Sequence, residues 1–472
     1  MTRSSLTTLR LSALVALALT AGIQSADGRA AAPTLRLPTN VPVPSASNVR
    51  TKSLPLSQAF SRTPSTPNCL ANAFEMPGQA WHTDLTGGGI SLGAQTPGAG
   101  TPDARAPTFE ALYGFPASWL DGRAADNELM VVDHFAASPL KIRVEGEEQT
   151  LMLNHGALVE AHLRSILESA GFTLLSRHPL RYGRGRRTLT LTRLDLGTQV
   201  YHTKGLNPGP VPSAALALAL KERFASDGKS LTPRDLVVNM SFAMIPCQAM
   251  NIYQDTRQTW AAATPPRRYN LNTFLQDVAR ESNLSVTEVQ HELTTVSDTE
   301  PLRREVATLS AGRRARGASF VAVASSGNFG LGYATAPGAF GDVISAGLYG
   351  WDRRPATDAD GQVWPDAADV NVAGEWFTLS PAQLQRYCRD GGTCVTDDVL
   401  TAPERYGTFS YRGTSFAAPT LSLFLALQQG PANPCFTNSG TGYRPVGKAT
   451  ASHSQPAFDF KQAWTTCEGK PM

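Results

Sequence analysis

The sequence predicts an α/β fold of three layers, with a mainly parallel central sheet covered by helices on both faces. Three observations predict it. Short, continuously apolar runs of strand length recur between residues 128 and 346, and a run without polar alternation suits a strand buried on both faces. The segments between them repeat apolar residues at helical spacing, and strands that alternate with helices pair in parallel. Asp133, Ser241 and Asn328 stand at or just past the ends of such runs, where parallel sheets gather their functional residues.

The elements follow in chain order. Arg3 and Arg10 precede the apolar run Leu11 to Ile23 and the small residues up to Ala26. That run is too short to span a bilayer well and has the layout of an export signal over residues 1–26. A secreted or periplasmic protein without a stable membrane anchor is expected. Residues 27–115 are rich in Pro, Gly and Thr and show little periodicity, as in a propeptide or irregular N-terminal extension. The main domain is expected over residues 116–472.

Within it, Glu128 to Asp133 reads as a buried strand ending in an acid. Leu151 to Asn154 leads into His155, and residues 155–170 form a helix through Leu158, Val159, His162, Leu163, Ile166 and Leu167 that stops at Gly171. Thr188 to Leu194 alternates as a strand. Ser213 to Phe224 is helical, and Asp235 to Phe242 is a second buried strand. Residues 248–300 read as an inserted segment with helical stretches at Leu271–Val278 and Val286–Leu293. A basic helix over 301–316, strands at Phe320–Ala324 and Asp342–Ala346, and an apolar helix from Ser415 to Gln428 complete the series. The basic runs Arg181–Arg187 and Arg313–Arg316 read as a solvated loop and a helix end.

Composition narrows the function classes. With 472 residues, 42% hydrophobic and 17% charged, and with 40 Gly and 33 Pro, the chain suits a loop-rich globular enzyme and excludes a coiled coil or a disordered chain. A net charge of +3 without a dominant basic face gives no reason to expect nucleic acid. The six cysteines are Cys69, Cys247, Cys388, Cys394, Cys435 and Cys467. In an exported chain they favour disulfides, with about fifteen arithmetical pairings. The sequence does not fix the set: Cys388 with Cys394 could close a small loop, Cys435 with Cys467 could tie down the tail, and Cys69 with Cys247 would then remain by elimination only. No CxxC pair or histidine pair accompanies them as zinc ligands.

The candidate nucleophile is Ser415 in Tyr411-Arg-Gly-Thr-Ser-Phe-Ala-Ala-Pro419. A serine hydroxyl needs a base and an exposed placement. Gly413 allows a sharp turn, and the following helix offers unpaired amides beside the nucleophile. Pro419, counted from a helix start at Ser415, falls near the first turn and costs little there. The candidate base is His155 in Asn154-His-Gly, at a helix start with room beside the imidazole. Asp133 can orient that imidazole. Asn328, in Ser325-Ser-Gly-Asn328, can donate to a developing oxyanion together with the Ser415 amide.

These residues occur in the order Asp, His, Asn, Ser, each in its own local sequence, and here the chain resembles the subtilisin-like (subtilase) family of serine peptidases, whose Asp–His–Ser order is well established. The resemblance rests on Gly413-Thr-Ser-Phe-Ala-Ala-Pro419, His155-Gly-x-x-Val159, Ser326-Gly-Asn-x-Gly330, Val238-Asn-Met-Ser241 and Asp342-Val-Ile-Ser-Ala-Gly347, and covers roughly residues 125–430. It implies an endopeptidase acting on proteins or peptides as a monomer, without a catalytic cofactor. Ser241, Phe242, Ala243, Ser325, Ser326 and Gly327 would flank an extended substrate. The family often binds structural calcium, and no segment here specifies a site for it. The chain departs from the family at His134 and Phe135, where Ser or Thr and then Gly usually follow the Asp, and at Ala243, where a Gly usually borders the first specificity pocket. Two other readings use the same residues: a binding protein that has lost activity, and a transferase passing its acyl group to an amine.

Overall fold

The computed structural model describes residues 68–71, 89–92, 104–122, 124–133, 135, 138–144, 147–195, 213–225, 235–246, 271–289, 300–315, 318–328, 330, 332, 334–357, 363–391, 409–428 and 456–467. Among them the strands are β1 (Asn68–Ala71), β2 (Gly89–Leu92), β3 (Ala125–Asp133), β4 (Ser138–Val144), β5 (Glu147–Leu153), β6 (Thr173–Arg177), β7 (Leu180–Arg184), β8 (Arg187–Asp195), β9 (Asp235–Met240), β10 (Ala243–Pro246), β11 (Phe320–Ser325), β12 (Val343–Tyr349), β13 (Val370–Ala373), β14 (Phe377–Leu379) and β15 (Phe409–Arg412). The helices are α1 (Phe109–Tyr113), α2 (His155–Ser169), α3 (Ser213–Ala225), α4 (Leu271–Ser282), α5 (Glu300–Arg314), α6 (Pro381–Gly391), α7 (Thr414–Ala426) and α8 (Phe460–Cys467).

Eight strands form the central sheet in the order β13-β12-β11-β9-β3-β8-β7-β6. Pairing is parallel from β13 across to β8, and β8-β7-β6 is an antiparallel meander. Register aligns the carboxyl ends: Val132 faces Met240, Met240 faces Ala324, and Asp133 faces Asp195. Asp133, Ser241 and Ser325 therefore lie along one rim.

Alternation along the buried strands builds two separate cores. Leu129, Val131, Val237, Val323 and Ile344 pack with Leu158, Val159, Leu163, Phe416 and Leu421 of α2 and α7. Their neighbours Met130, Val132, Val238, Met240 and Ala322 pack on the opposite face with Leu216, Leu220, Leu302 and Val306 of α3 and α5. Each such side chain removed from water contributes roughly 1.5–3 kcal/mol. The arrangement is the three-layer α/β fold that the sequence predicts.

The core begins earlier in the chain than residue 116. Phe109, Leu112, Tyr113 and Phe115 are buried, and Tyr113 donates from its hydroxyl to the Thr420 carbonyl at 2.8 Å. Tyr113 packs edge-on against Phe460, and Phe115 lies 5.2 Å from Trp464, which closes an aromatic cluster over Phe424. Two short strands of the same N-terminal segment also join the domain: β1 pairs antiparallel with β10, and β2 with β15. Mixed small and turn-forming residues concealed these elements from a periodicity reading.

The basic runs also differ from expectation. Arg181 to Arg184 lie in β7. Arg187 is buried, donates to the Leu120 carbonyl at 2.6 Å and to the Leu427 carbonyl, and lies over Trp464. Arg313 is likewise buried, over Phe224. Both place a long apolar stem in the core and use the charged head to bind carbonyls or a ring. In the segment read as an insertion, α4 forms as expected. Of the second helical stretch only residues 286–289 are described, and they are helical. The export signal and the cysteine side chains lie outside the described residues. Among the described residues no helix is long and apolar enough to cross a membrane.

Candidate active site

Asp133 is the last residue of β3, and His155 the first of α2. The strand carries its carboxylate to the sheet rim, and the helix start meets it there. His155 Nδ1 lies 2.8 Å from Asp133 Oδ1 and 2.9 Å from Oδ2. Both side chains are almost fully buried, at 3% and 1% exposure. With Nδ1 bound to the carboxylate, the proton sits on Nδ1 and Nε2 is the basic nitrogen. The unusual His134-Phe135 sequence after the acid has not displaced the pair. His134, the one rival base in the sequence, lies outside the described residues.

Asn154 holds the start of that helix. Its Oδ1 accepts from the Ala157 amide at 2.9 Å, an N-cap, and its Nδ2 donates to the Phe135 carbonyl.

Ser415 is the second residue of α7. Gly413 is the residue before the helix, at φ 148° and ψ 154°, a conformation open to glycine and strained for any side chain. The turn delivers Ser415 to the rim beside α2, with the Phe416 ring 6.0 Å from the His155 ring. Because α7 starts at Thr414, Pro419 is its sixth residue and sits in the second turn. It therefore removes the i→i−4 bond to the Ser415 carbonyl, a larger local effect than a first-turn proline would have.

Asn328 follows β11. Its Oδ1 accepts from the Thr414 amide at 3.0 Å and the Thr414 hydroxyl at 2.7 Å. With the oxygen so engaged, Nδ2 is the end left to donate beside Ser415. Gly327 precedes it at φ +110°, and a methyl group there would meet Asp366 Oδ2 at 2.1 Å and Thr335 Oγ1 at 2.5 Å. Asp366 also braces the segment from its backbone: its amide donates to the Gly327 carbonyl at 2.9 Å, and its carbonyl accepts from Ser326 Oγ at 3.0 Å.

The residues expected to flank a substrate come together along the same rim. Ser241, Phe242, Ala243, Ser325 and Ser326 are all buried, and Ser325 Oγ donates to the Phe242 carbonyl at 2.9 Å, which joins the two segments directly. Asn239 donates to Ser241 Oγ at 2.7 Å and accepts from Ser422 of α7 at 3.3 Å.

A second imidazole supports the site from below. His162, two turns after His155, is fully buried among Phe377, Tyr411 and Phe416. Nε2 lies 2.9 Å from Thr420 Oγ1, and Nδ1 lies 3.1 Å from the Tyr411 hydroxyl. Thr420 spends its own proton on the Phe416 carbonyl at 2.8 Å, so Nε2 donates to Thr420 and Nδ1 accepts from Tyr411. Burial pushes the His162 pKa down to about 3 and pushes the Tyr411 hydroxyl well up, which fixes that proton arrangement.

The structure thus brings Asp133, His155, Asn328 and Ser415 to one rim. The sequence reading missed the supporting groups Thr414, Asn154 and His162. Asn154 carried a readable signal, since Asn is a preferred N-cap and stands directly before a helix start. His162 carried none, because a buried histidine looks like any other apolar-face residue. Among the described residues no group of three or more His, Cys, Asp or Glu is placed to hold a metal ion.

No family model matches the chain, and no curated protein matches it. Among solved structures it is similar to the prenylagaramide maturation protease PagA, with 13% identity over 64% of this chain and 74% of that one and a TM-score of 0.31. It is similar also to a lanthipeptide protease, with 11% identity over 72% of this chain and 87% of that one and a TM-score of 0.34, and to Sphericase, with 12% identity over 73% and 94% and a TM-score of 0.30.

Proposed function

We propose that the chain is a subtilisin-like serine endopeptidase, exported from the cytoplasm, that hydrolyses peptide bonds in protein or peptide substrates. The observation that carries this reading is the bond of His155 Nδ1 to both oxygens of Asp133, formed on the rim that also holds Ser415 and Asn328. Ser415 Oγ attacks the scissile carbonyl as His155 Nε2 takes its proton. Asp133 holds the imidazole in the Nδ1–H tautomer and stabilises its charged form. Asn328 Nδ2 and the Ser415 amide receive the oxyanion, and losing one such donor typically costs about 3–4 kcal/mol of transition-state stabilisation. His155 then returns the proton to the leaving amine, and water resolves the acyl-enzyme by the same route. These residues complete the reaction without a metal or cofactor.

A fluorophosphonate probe tests the proposal, since it reacts only with an activated serine. The wild-type protein should label and the Ser415→Ala variant should not. Absence of labelling in folded wild-type protein, after any prosegment has been removed, would sink the enzyme reading.

A further inference from the structure

We infer that Asn154 is a positioning residue of the Asp133–His155 pair, acting through a closed bracket that fixes the chain just past the acid. The inference rests on the serine peptidase reading above.

The bracket is built around Phe135, two residues after Asp133. Its amide donates to Asp195 Oδ1 at 3.1 Å. Its carbonyl accepts from Asn154 Nδ2. Its ring lies under the Arg193 guanidinium, 4.8 Å from the centroid, an attractive arrangement of a cation over an aromatic face. Arg193 is in turn paired with Glu160, with Nε at 2.6 Å and NH2 at 2.5 Å from Oε2. Glu160 is 2% exposed and lies on α2, five residues past His155. Arg193 and Asp195 belong to β8, whose Asp195 faces Asp133 across the parallel register.

Traced as a loop, the contacts run from the end of β3 through Phe135 to β8, from β8 through Arg193 and Glu160 to α2, and from the start of α2 through Asn154 back to Phe135. Every step has a partner at contact distance, and the loop joins the two chain segments that carry Asp133 and His155. Asn154 is the member that touches both sides. One end of its amide caps the helix that begins with the base, and the other holds the chain two residues beyond the acid. The Asn154–Phe135 bond thus ties the backbone beyond the acid to the start of the helix that carries the base. A glycine after the acid would give no ring for Arg193, so the bulky Phe135 is the part of this sequence that lets the bracket form.

The Asn154→Ser variant separates the two jobs of this side chain. Serine caps helices about as well as asparagine, and its short hydroxyl cannot also reach the Phe135 carbonyl. The expected result is a kcat lowered about 10- to 100-fold, as for a small misplacement of a reacting group, with KM within about twofold and a melting temperature near that of wild type. Because Asn154 acts through the pair, the loss should shrink to less than about twofold when introduced into Asp133→Asn, read from fluorophosphonate labelling rates. A kcat within about twofold of wild type overturns the inference. So does a full loss that persists in the Asp133→Asn background, or a loss that tracks a collapse in melting temperature. Wild-type protein that fails to label marks failure of the peptidase reading instead, and the inference falls with it.

Discussion

His162 gives the structure a defined response to acid. Its Nδ1 accepts from Tyr411 and its Nε2 donates to Thr420, so a second proton would set two donors face to face in a fully buried site. Burial holds its pKa at about 3, against 6.5 for an unperturbed histidine. Between these values the unfolded chain binds a proton that the folded protein refuses, and stability rises with pH over that window. The contribution is fully present above about pH 6.5 and is lost as pH falls toward 3. At 1.36 kcal/mol for each pH unit the whole effect amounts to about 5 kcal/mol. From pH 6.5 to 4.5 alone it is about 2 kcal/mol, a large part of the roughly 5–15 kcal/mol that holds a typical domain together. His162→Gln keeps an amide donor near Thr420 and cannot titrate. Urea unfolding of both proteins, in a Ser415→Ala background that prevents self-digestion, should show the variant losing about 2–3 kcal/mol less between pH 6.5 and 4.5. Parallel losses in the two proteins would refute the reasoning and assign acid sensitivity to other groups.

Three further outcomes follow from named contacts. Asp133→Asn should lower kcat by about 10⁴-fold with the fold intact, because the imidazole loses its tautomer; near-normal turnover would show that another group orients His155. Gly327→Ala should cost at least about 1–3 kcal/mol in chemical denaturation, together with most of the activity, since the methyl would fall 2.1 Å from Asp366 Oδ2 on a backbone at φ +110°; a variant with wild-type stability would contradict the packing described. A chain beginning at Ala117 should lack a cooperative unfolding transition by calorimetry. It lacks Phe109, Tyr113 and Phe115, and each buried aromatic truncated to alanine typically costs about 3–5 kcal/mol.

The parts of the molecule legible in the sequence are those whose physics is local. Buried parallel strands such as β9 and β11 announce themselves as unbroken apolar runs, and α2 shows its helical period and stops where the sequence supplies Gly171. The candidate site residues stood out because Asp133, His155, Asn328 and Ser415 each lie at or just past a strand end or at a helix start in a distinctive short motif. The antiparallel strands β6 and β7 and the short N-terminal elements were not legible, since their stability comes from partners far along the chain. Arg187 shows the reason most clearly. It sits in a run of arginines that looks solvated, and only the tertiary placement of the Leu120 and Leu427 carbonyls and Trp464 makes burial favourable. Phe135 misled in the opposite direction. It looked like a defect in the acid motif, and its ring and backbone proved to be tied into the surroundings of His155.

The tie between Tyr113 and Thr420 spans 307 positions, and that between Asn127 and Ala426 spans 299. Ribosomes add about 5–20 residues per second, so the first member of each pair waits roughly 15–60 seconds for the second to be made. Until then the start of the core lacks its distant partners and the segment that carries Ser415 does not yet exist. Contacts this distant also make for slow closure once the chain is whole. On the peptidase reading proposed above, synthesis itself is a safety interval: the growing polypeptide would have no means of cutting itself or its neighbours until the last large piece of the fold is made.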